Sequence, residues 1–271
     1  MRPFVDAGWL ADHPEVVLVD CRSYLDGRST WEAYLDGHLP GAVYCDLDRW
    51  LAAPPSAAEG RHPLPDPDVF AEGMGLLGIG DDTPVVAYDD DSGVMAARLV
   101  WLLRVTGHDA AVLDGGITAW LGRRETGPTE PAPTVFTARP WPAELLVTMD
   151  GLEGSVLLDA RPGPRYRGEL EPVDARPGHV PGAVNVPCRD NSDDRGLLLP
   201  VPVLRERLAG VEPGWISSCG SGVTACHTLL LAEHLGLPPG RLYPGSWSQW
   251  AATSRPAALG EDPGSLDGWT P

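Results

Sequence analysis

Residues 16–22 read VVLVDCR, and residues 155–161 repeat the pattern as SVLLDAR. A second landmark follows each of them, GHLPGAVY at residues 37–44 and GHVPGAVN at residues 178–185. The aspartates of the first landmark are 139 positions apart (159 − 20), and the histidines of the second are 141 apart (179 − 38). Because the landmarks recur in one order at nearly one offset, we predict two copies of one domain.

Each copy alternates short apolar runs with longer helical patterns. Runs such as VVLVD and VLLD have the length of strands, and the longer patterns end near Gly107 and Gly236, as helices often do. Alternating strands and helices predict an α/β fold in which each domain has a mainly parallel sheet with helices on both faces. We expect an N-terminal domain over residues 1–122, a proline-rich linker over 123–144 and a C-terminal domain over 145–271.

The composition narrows the classes of function. A formal net charge of −18 repels a phosphate backbone, so no nucleic-acid partner is expected. The sequence has no apolar run near the roughly 18 residues that a membrane helix needs. No apolar signal core follows the first residues either, so we expect a cytoplasmic protein without a membrane partner.

The cysteines are five in number and include no Cys-x-x-Cys pair. An odd count at irregular spacing disfavours a disulfide framework, and the missing pair disfavours zinc and thioredoxin-like sites. The useful question is therefore which single cysteine is placed to react.

The strand-to-helix loops after the third strand of each copy are the places to look, because ligands bind at the carboxyl ends of strands in open α/β sheets. Residues 219–224 read CGSGVT, and residues 90–94 read DDSGV. The shared Ser-Gly-Val triplets align at an offset of 129 (221 − 92), which places Asp90 opposite Cys219 (90 + 129). We infer an inactive N-terminal copy and a catalytic C-terminal copy.

The loop around Cys219 has the properties that a reactive sulfur needs. It precedes a predicted helix N-terminus, and Gly220 and Gly222 allow backbone N–H groups to turn inward as an anion nest. Such a loop favours a thiolate and would equally stabilise the terminal sulfur of a persulfide. A buried cysteine is more often a small apolar core residue, but a core position needs no Gly-Ser-Gly turn around it. We interpret the other four cysteines as core residues: Cys21, Cys45, Cys188 and Cys226.

A cysteine phosphatase is the main mechanistic rival for a loop of this kind. Such a loop needs an arginine at the sixth position after the cysteine to bind phosphate through two hydrogen bonds. That position is Ala225 here, and the preceding Thr224 supplies no charge. The sequence therefore argues against phosphate chemistry.

Taken as a set, the paired landmarks and the CGSGVT loop resemble the tandem-domain rhodanese family over nearly the whole chain. In that family the N-terminal domain is inactive and the C-terminal domain carries the catalytic cysteine. The loop after Cys219 resembles that of 3-mercaptopyruvate sulfurtransferases; it consists of Gly220, Ser221, Gly222, Val223 and Thr224. In thiosulfate sulfurtransferases the corresponding loop carries basic side chains. An uncharged loop suits the single carboxylate of mercaptopyruvate better than the dianion thiosulfate.

The resemblance also implies residues that bind the donor. Arg165 matches an arginine that precedes an aromatic residue, and we expect it to bind the donor carboxylate. A second family arginine after Glu-Pro is replaced by Val173, so Arg176 is a weaker substitute for it. His38 resembles a histidine proposed to transfer protons, but its repetition at His179 favours a structural role.

The implied mechanism has two steps. The Cys219 thiolate takes sulfur from the donor, and a thiol acceptor such as thioredoxin or a small thiol, or cyanide, then removes it. No metal or organic cofactor is required. Two alternatives remain open: a thiosulfate:cyanide sulfurtransferase, and a non-catalytic persulfide carrier or redox sensor.

Overall fold

A computed structural model of the protein describes residues 1–265, so residues 266–271 of the predicted C-terminal domain lie outside the described range. The chain divides into two compact units. The first unit contains Met1–Ala53, Leu64–Pro142 and Ser192–Leu199, and the second contains Pro54–Pro63, Ala143–Asn191 and the chain from Pro200 onward. Each unit therefore includes one short segment from the other half of the sequence, which the sequence analysis did not anticipate.

The first unit is a five-stranded sheet with helices. Its strands and helices follow in the order β1 Phe4–Val5, α1 Ala7–Ala11, β2 Val17–Asp20, α2 Thr30–Asp36, β3 Val43–Tyr44, α3 Pro67–Leu76, β4 Val85–Tyr88, α4 Ala97–Val105, β5 Ala110–Leu113 and α5 Gly116–Ala119. A π-helical turn spans Leu47–Leu51. The strand order is β1-β5-β4-β2-β3, and every pairing is parallel.

The second unit repeats this arrangement with four strands. Its elements are β6 Leu157–Asp159, α6 Gly163–Tyr166, β7 Ala183–Asn185, α7 Val201–Arg207, β8 Ile216–Ser218, α8 Ala225–His234, β9 Arg241–Leu242 and α9 Ser246–Ala251, with short 3-10 turns at Ala143–Leu145, Met149–Gly151 and Cys188–Asn191. The strand order β7-β6-β8-β9 is again wholly parallel. It reproduces β3-β2-β4-β5 of the first unit, so the predicted α/β fold with a duplicated domain is confirmed.

The Asp-x-Arg landmarks close the same corner in both units. Arg22 donates to both carboxylate oxygens of Asp20 and to the carbonyl of Gly37 at 2.9 Å. Arg161 does the same with Asp159 and with the carbonyl of Gly178, at 2.8 Å. Each buried arginine thus joins the end of a strand to the start of the Gly-His-x-Pro-Gly-Ala turn.

The two cores are built from apolar side chains on the strands and on the helices that cover them. The first unit buries apolar residues of its parallel strands, as such sheets require. One of its core clusters includes Val5, Leu39, Val86, Ala111, Leu113 and Ile117. The second unit relies more on aromatic residues, and its cluster includes Tyr166, Ile216, Tyr243, Trp247 and Trp250. Within residues 1–265, no helix has the length and apolar character needed to cross a bilayer.

Candidate active site

Cys219 lies at the carboxyl end of β8, six residues before α8 begins at Ala225 (225 − 219 = 6). Its side chain is buried, with 2% of the residue exposed. The backbone N–H of Gly222 donates to the sulfur of Cys219, with 3.1 Å between nitrogen and Sγ. The loop therefore turns back on the sulfur, as an anion nest requires.

The first turn of α9 holds this loop in place. The hydroxyl of Ser246 accepts from the N–H of Cys219 at 3.1 Å and donates to the carbonyl of Tyr243 at 2.9 Å. The N–H of Trp247 donates to the carbonyl of Cys219 at 3.0 Å. The backbone of Cys219 is thus held by a side-chain hydroxyl and an N–H group of a second element, in addition to its own strand.

Ser221 of the loop faces a histidine that the sequence analysis did not single out. The Nδ1 atom of His62 lies 2.8 Å from the hydroxyl oxygen of Ser221, in a hydrogen bond whose direction depends on the tautomer of the ring. His62 belongs to segment 54–63, which folds with the second unit. The pair places an imidazole and a hydroxyl, two groups able to exchange a proton, two residues from the reactive sulfur.

A cluster of opposite charges flanks the loop. Arg165 donates from Nη2 to Glu171 at 2.6 Å and to Asp174 at 2.8 Å. Arg61 of segment 54–63 forms an ion pair through Nη1 with the other oxygen of Asp174. The side chains of Glu171 and Asp174 are 3% and 4% exposed, whereas those of Arg165 and Arg61 are 13% and 21% exposed. The acids therefore form the floor of the cluster and the guanidinium groups form its accessible side.

The two acids respond differently to this environment. Burial acts to raise the pKa of Glu171, but N–H donors from the Asp174 backbone and from Arg165 outweigh it and lower the pKa below its usual value. Burial raises the pKa of Asp174 above its usual value, although Arg61 and Arg165 oppose that shift. Glu171 is therefore the firmer anion of the two.

Arg176 is engaged away from the sulfur loop. Its guanidinium donates to the carbonyls of Trp250 and Ala251 at 3.2 Å each and to that of Arg255. Its own carbonyl accepts from the indole N–H of Trp247 at 3.0 Å. These contacts join Arg176 to the C-terminal end of α9.

His38 packs inside the first unit. It is 1% exposed, its Nδ1 lies 2.9 Å from the carbonyl of Tyr34, and its ring stacks on that tyrosine at 4.2 Å. His179 makes the same pair of contacts with Tyr166, at 2.8 Å and 3.7 Å. Equivalent contacts in both units agree with the structural interpretation of the two histidines.

In the corresponding loop of the first unit, the side chain of Asp89 accepts the backbone N–H groups. Gly93 aligns with Gly222 (93 + 129 = 222), and its N–H donates to Oδ1 of Asp89 at 2.7 Å. Asp89 also accepts N–H groups from Asp91, Met95 and Ala96 at 2.7–2.8 Å. Burial raises the pKa of Asp89 to about 6, against the effect of these donors. In this unit a carboxylate accepts the N–H of Gly93, whose counterpart Gly222 donates to the sulfur of Cys219 in the other unit.

Sequence reasoning placed Cys219 and Arg165 in one site, but it missed Arg61, His62, Glu171 and Asp174. The available signal was a basic pair, Arg61 and His62, in an otherwise proline- and alanine-rich connection. A connection that only links two elements does not require charged or titratable side chains, so their presence in this loop is a functional signal. Among residues 1–265, no group of three or more His, Cys, Asp or Glu side chains is arranged to hold a metal ion.

Two α/β units, each with a wholly parallel sheet, and a buried cysteine whose sulfur accepts a backbone N–H in the second unit are the features of a tandem-domain thiol enzyme. The family model for the rhodanese-like domain matches residues 6–123 and again residues 142–253. The chain therefore belongs to the rhodanese-like family, which confirms the resemblance of the paired landmarks.

Several named relatives are similar to this protein over most of the chain. A probable 3-mercaptopyruvate sulfurtransferase from Pseudomonas aeruginosa is 40% identical and covers 92% of this chain and 94% of its own. A putative thiosulfate sulfurtransferase from Mycobacterium tuberculosis is 38% identical, with 94% of each chain covered. The solved 3-mercaptopyruvate sulfurtransferase from Leishmania major is 34% identical, with a TM-score of 0.81 over 94% of this chain and 75% of its own. These names confirm the predicted enzyme class, a sulfurtransferase.

Proposed function

We propose that the protein moves sulfur from 3-mercaptopyruvate to a thiol or to cyanide through a persulfide on Cys219. The observation that carries this proposal is the hydrogen bond from the Gly222 N–H to the Cys219 sulfur, 3.1 Å long, at the start of a ten-residue helix. A backbone donor at that position stabilises negative charge on the sulfur. The same charge is present in the attacking thiolate and in the persulfide that the first step leaves behind.

The first step balances without an outside oxidant or reductant. The thiolate of Cys219 attacks the sulfur of mercaptopyruvate, an S–S bond forms, and the C–S bond breaks. The carbon takes the electron pair as the enolate of pyruvate and then accepts a proton, while the sulfur that has moved loses one. The net change is thiolate plus mercaptopyruvate to persulfide anion plus pyruvate.

A proton must therefore travel from sulfur to carbon within the site. The hydrogen bond of 2.8 Å between Ser221 and His62 supports a role for this pair in that transfer. Because an imidazole has one nitrogen that can accept a proton and one that can donate it, the ring can pass a proton through the hydroxyl without changing the overall proton balance. His38 remains a less favoured candidate, because its Nδ1 is engaged by a carbonyl in the first unit.

We place the donor carboxylate at Arg165 and assign Arg176 no role in binding it. Arg165 is partly exposed and has Nη1 near Gly220, whereas Arg176 donates to three backbone carbonyls. Thiosulfate remains the second candidate donor, since one similar relative bears that name. The uncharged side chains of the loop and the acids beneath the arginines favour a monoanion over that dianion.

We assign catalysis to the C-terminal domain and none to the N-terminal domain. In the first copy Asp89, and not the predicted Asp90, stands where Cys219 stands in the second, because Tyr88 pairs with Asp20 as Ser218 pairs with Asp159. The nearby N–H groups serve Asp89. That loop therefore lacks both a nucleophile and the donors that a persulfide anion would use.

We take the acceptor to be a small thiol or a thiol protein such as thioredoxin, in the cytoplasm. Removal of the outer sulfur by either acceptor restores the Cys219 thiolate, so the two half-reactions should give ping-pong kinetics. A non-catalytic carrier would use the same cysteine but would turn over slowly with small donors. Steady-state rates with mercaptopyruvate and with thiosulfate, measured side by side, separate these functions.

The direct test is the mass of the protein after incubation with mercaptopyruvate and removal of excess donor. We expect wild type to gain the mass of one sulfur atom and to release one pyruvate for each sulfur gained. Cys219→Ser should gain none, while Cys188→Ser, which removes a buried thiol outside the loop, should match wild type. A persulfide that still forms in Cys219→Ser would refute the proposal.

A further inference from the structure

Two of the buried cysteines stand side by side in the first unit. Cys21 directly follows β2 and Cys45 directly follows β3. These strands pair in parallel, with Asp20 opposite Tyr44 as the last residues in register. The N–H of Cys45 donates to the carbonyl of Asp20 at 2.9 Å, so the hydrogen-bonded ladder continues past the strand ends. The two cysteines are therefore the next neighbours across two adjacent strands.

The geometry of a parallel sheet brings these two side chains together. Opposite positions of adjacent strands direct their side chains to the same face, and such strands lie roughly 4.8 Å apart. That spacing falls within the about 4.4–6.8 Å that a disulfide requires between its Cα atoms. Burial raises the pKa of the Cys21 thiol well above its usual value, and a side-chain hydrogen bond with Cys45 raises it further. The two sulfur atoms are thus already neighbours in the reduced protein.

The second unit shows that this corner of the fold does not require cysteine. The same two positions are Ala160 and Val186 there. Their N–H groups donate to carbonyls of the neighbouring strand at 2.8 and 2.9 Å, the same distances as for Cys21 and Cys45. Small apolar side chains therefore suffice at both positions, and packing alone does not account for a thiol at each of them in the first unit.

We propose that Cys21 and Cys45 form a reversible disulfide that ties β2 to β3 and stabilises the first unit under oxidising conditions. The inference is independent of the proposed function, because no step of it uses Cys219. It assigns a site of redox modification to the domain in which we place no catalysis.

The oxidation balances with a small disulfide, such as oxidised glutathione, as the oxidant. One cysteine attacks a sulfur of that disulfide as the thiolate, so a mixed disulfide forms and one small thiol leaves. The second cysteine, also as the thiolate, attacks the protein sulfur of the mixed disulfide, and the second small thiol leaves. The two cysteines together lose two protons and two electrons, and the two small thiols carry them away.

Burial makes this a slow response. Cys21 is 4% exposed and Cys45 is 1% exposed, so an oxidant has little access to either sulfur. The raised pKa of Cys21 acts in the same direction, because the thiolate is the attacking form. We therefore expect the pair to remain reduced during brief exposure to an oxidant and to join only when oxidising conditions persist.

The competing explanation is that both cysteines are only small apolar core residues, as buried cysteines often are. A core role predicts two thiols that never join in the folded protein. A disulfide between them would instead close a loop of 24 positions (45 − 21) that contains α2. Closing such a loop constrains the unfolded chain, so oxidation should make the protein harder to unfold.

The experiment incubates the folded protein with mixtures of reduced and oxidised glutathione and, in parallel, with the smaller oxidant diamide. After an acid quench and digestion without reduction, we expect mass spectrometry to find a peptide that joins Cys21 to Cys45. Dithiothreitol should remove this link. Oxidation should also raise the midpoint of thermal unfolding of wild type by roughly 5–10 °C, from the length of the closed loop.

The double variant Cys21→Ala, Cys45→Val is the matched control, because it copies the residues of the second unit. Its midpoint should not rise on oxidation, although Cys219 is present in both proteins. Cys21→Ala alone serves as a second control if the double variant folds poorly. The inference is overturned if folded wild type gives no joined peptide with either oxidant, or if its midpoint rises no more than that of the control.

Discussion

Replacing Gly222 with alanine tests whether the loop geometry creates the reactive sulfur. Gly222 has φ +79°, and a Cβ on it would lie 2.4 Å from the carbonyl oxygen of Pro244. Its N–H is the donor to the sulfur of Cys219. An added methyl group therefore cannot be accommodated unless the backbone moves, and any movement displaces that N–H.

The structure gives the magnitudes. A non-glycine residue in the left-handed region costs about 1–2 kcal/mol. Overlap with a fixed carbonyl adds about 1–3 kcal/mol, as in an overpacked core. Loss of a hydrogen bond to an anion removes about 1.5–3 kcal/mol from the charged sulfur. At about 1.4 kcal/mol per tenfold change in rate, persulfide formation should slow by roughly 10- to 100-fold.

Gly236→Ala is the control. Gly236 follows α8 with φ +65° and has nothing within 4 Å of the Cβ position, so alanine there carries the backbone strain without the overlap. Urea unfolding should show a smaller loss of stability for Gly236→Ala than for Gly222→Ala, and rapid mixing with mercaptopyruvate should show a slow persulfide step only in Gly222→Ala. A wild-type rate in Gly222→Ala would refute the argument that the Gly222 N–H stabilises the sulfur.

Three further substitutions separate structural from catalytic roles. Arg176→Ala should lower the free energy of unfolding by about 1.5–3 kcal/mol, because charged hydrogen bonds to carbonyls are lost. The KM for mercaptopyruvate should not change; a raised KM would show that Arg176 binds the donor. His38→Ala should lower the thermal midpoint through loss of its stacking on Tyr34, and a persulfide rate that fell in a still-folded variant would contradict this role. Burial, with Arg189 nearby, lowers the pKa of His227 to about 4. As the pH drops from about 6.5 toward 4, the imidazole is therefore protonated in the unfolded chain before it is protonated in the folded protein, and the stability of the fold decreases. Between these pH values, the free energy of unfolding from urea titrations should fall by up to about 2–3 kcal/mol less in His227→Leu than in wild type. If the two proteins lose stability in parallel as the pH falls, His227 is not the cause of the loss.

Much of the fold was predictable because its signals are local. Buried parallel strands read as short apolar runs, and VVAY and AAVL appear as β4 and β5. The helices predicted to end near Gly107 and Gly236 appear as α4 and α8, which end at Val105 and His234. The edge strand β1 was missed because two residues, Phe4 and Val5, give no periodic signal, and only pairing with β5 defines them.

Within the site, the sequence was informative for Cys219 and Arg165 and not for their partners. Val173 stands where an arginine was expected, and proximity in sequence suggested Arg176 as its substitute. The structure instead places Arg61 beside Arg165, through a shared bond to Asp174. The binding role of Arg176 stays an untested prediction, and proximity along the chain is a weak guide here because a side chain in an irregular connection can be brought to a site from any distance.

By itself, the sequence determined the duplicated fold and the local form of the loop that holds Cys219. These follow from adjacent residues: strand, glycine turn and helix start are set by backbone preferences within CGSGVT and its flanks. Only the tertiary structure decided which charged groups face that loop. The contact between His62 and Ser221 joins residues 159 positions apart, and no local preference encodes it. It exists because segment 54–63 packs on the second unit, which depends on long-range burial and hydrogen bonding rather than on chain geometry.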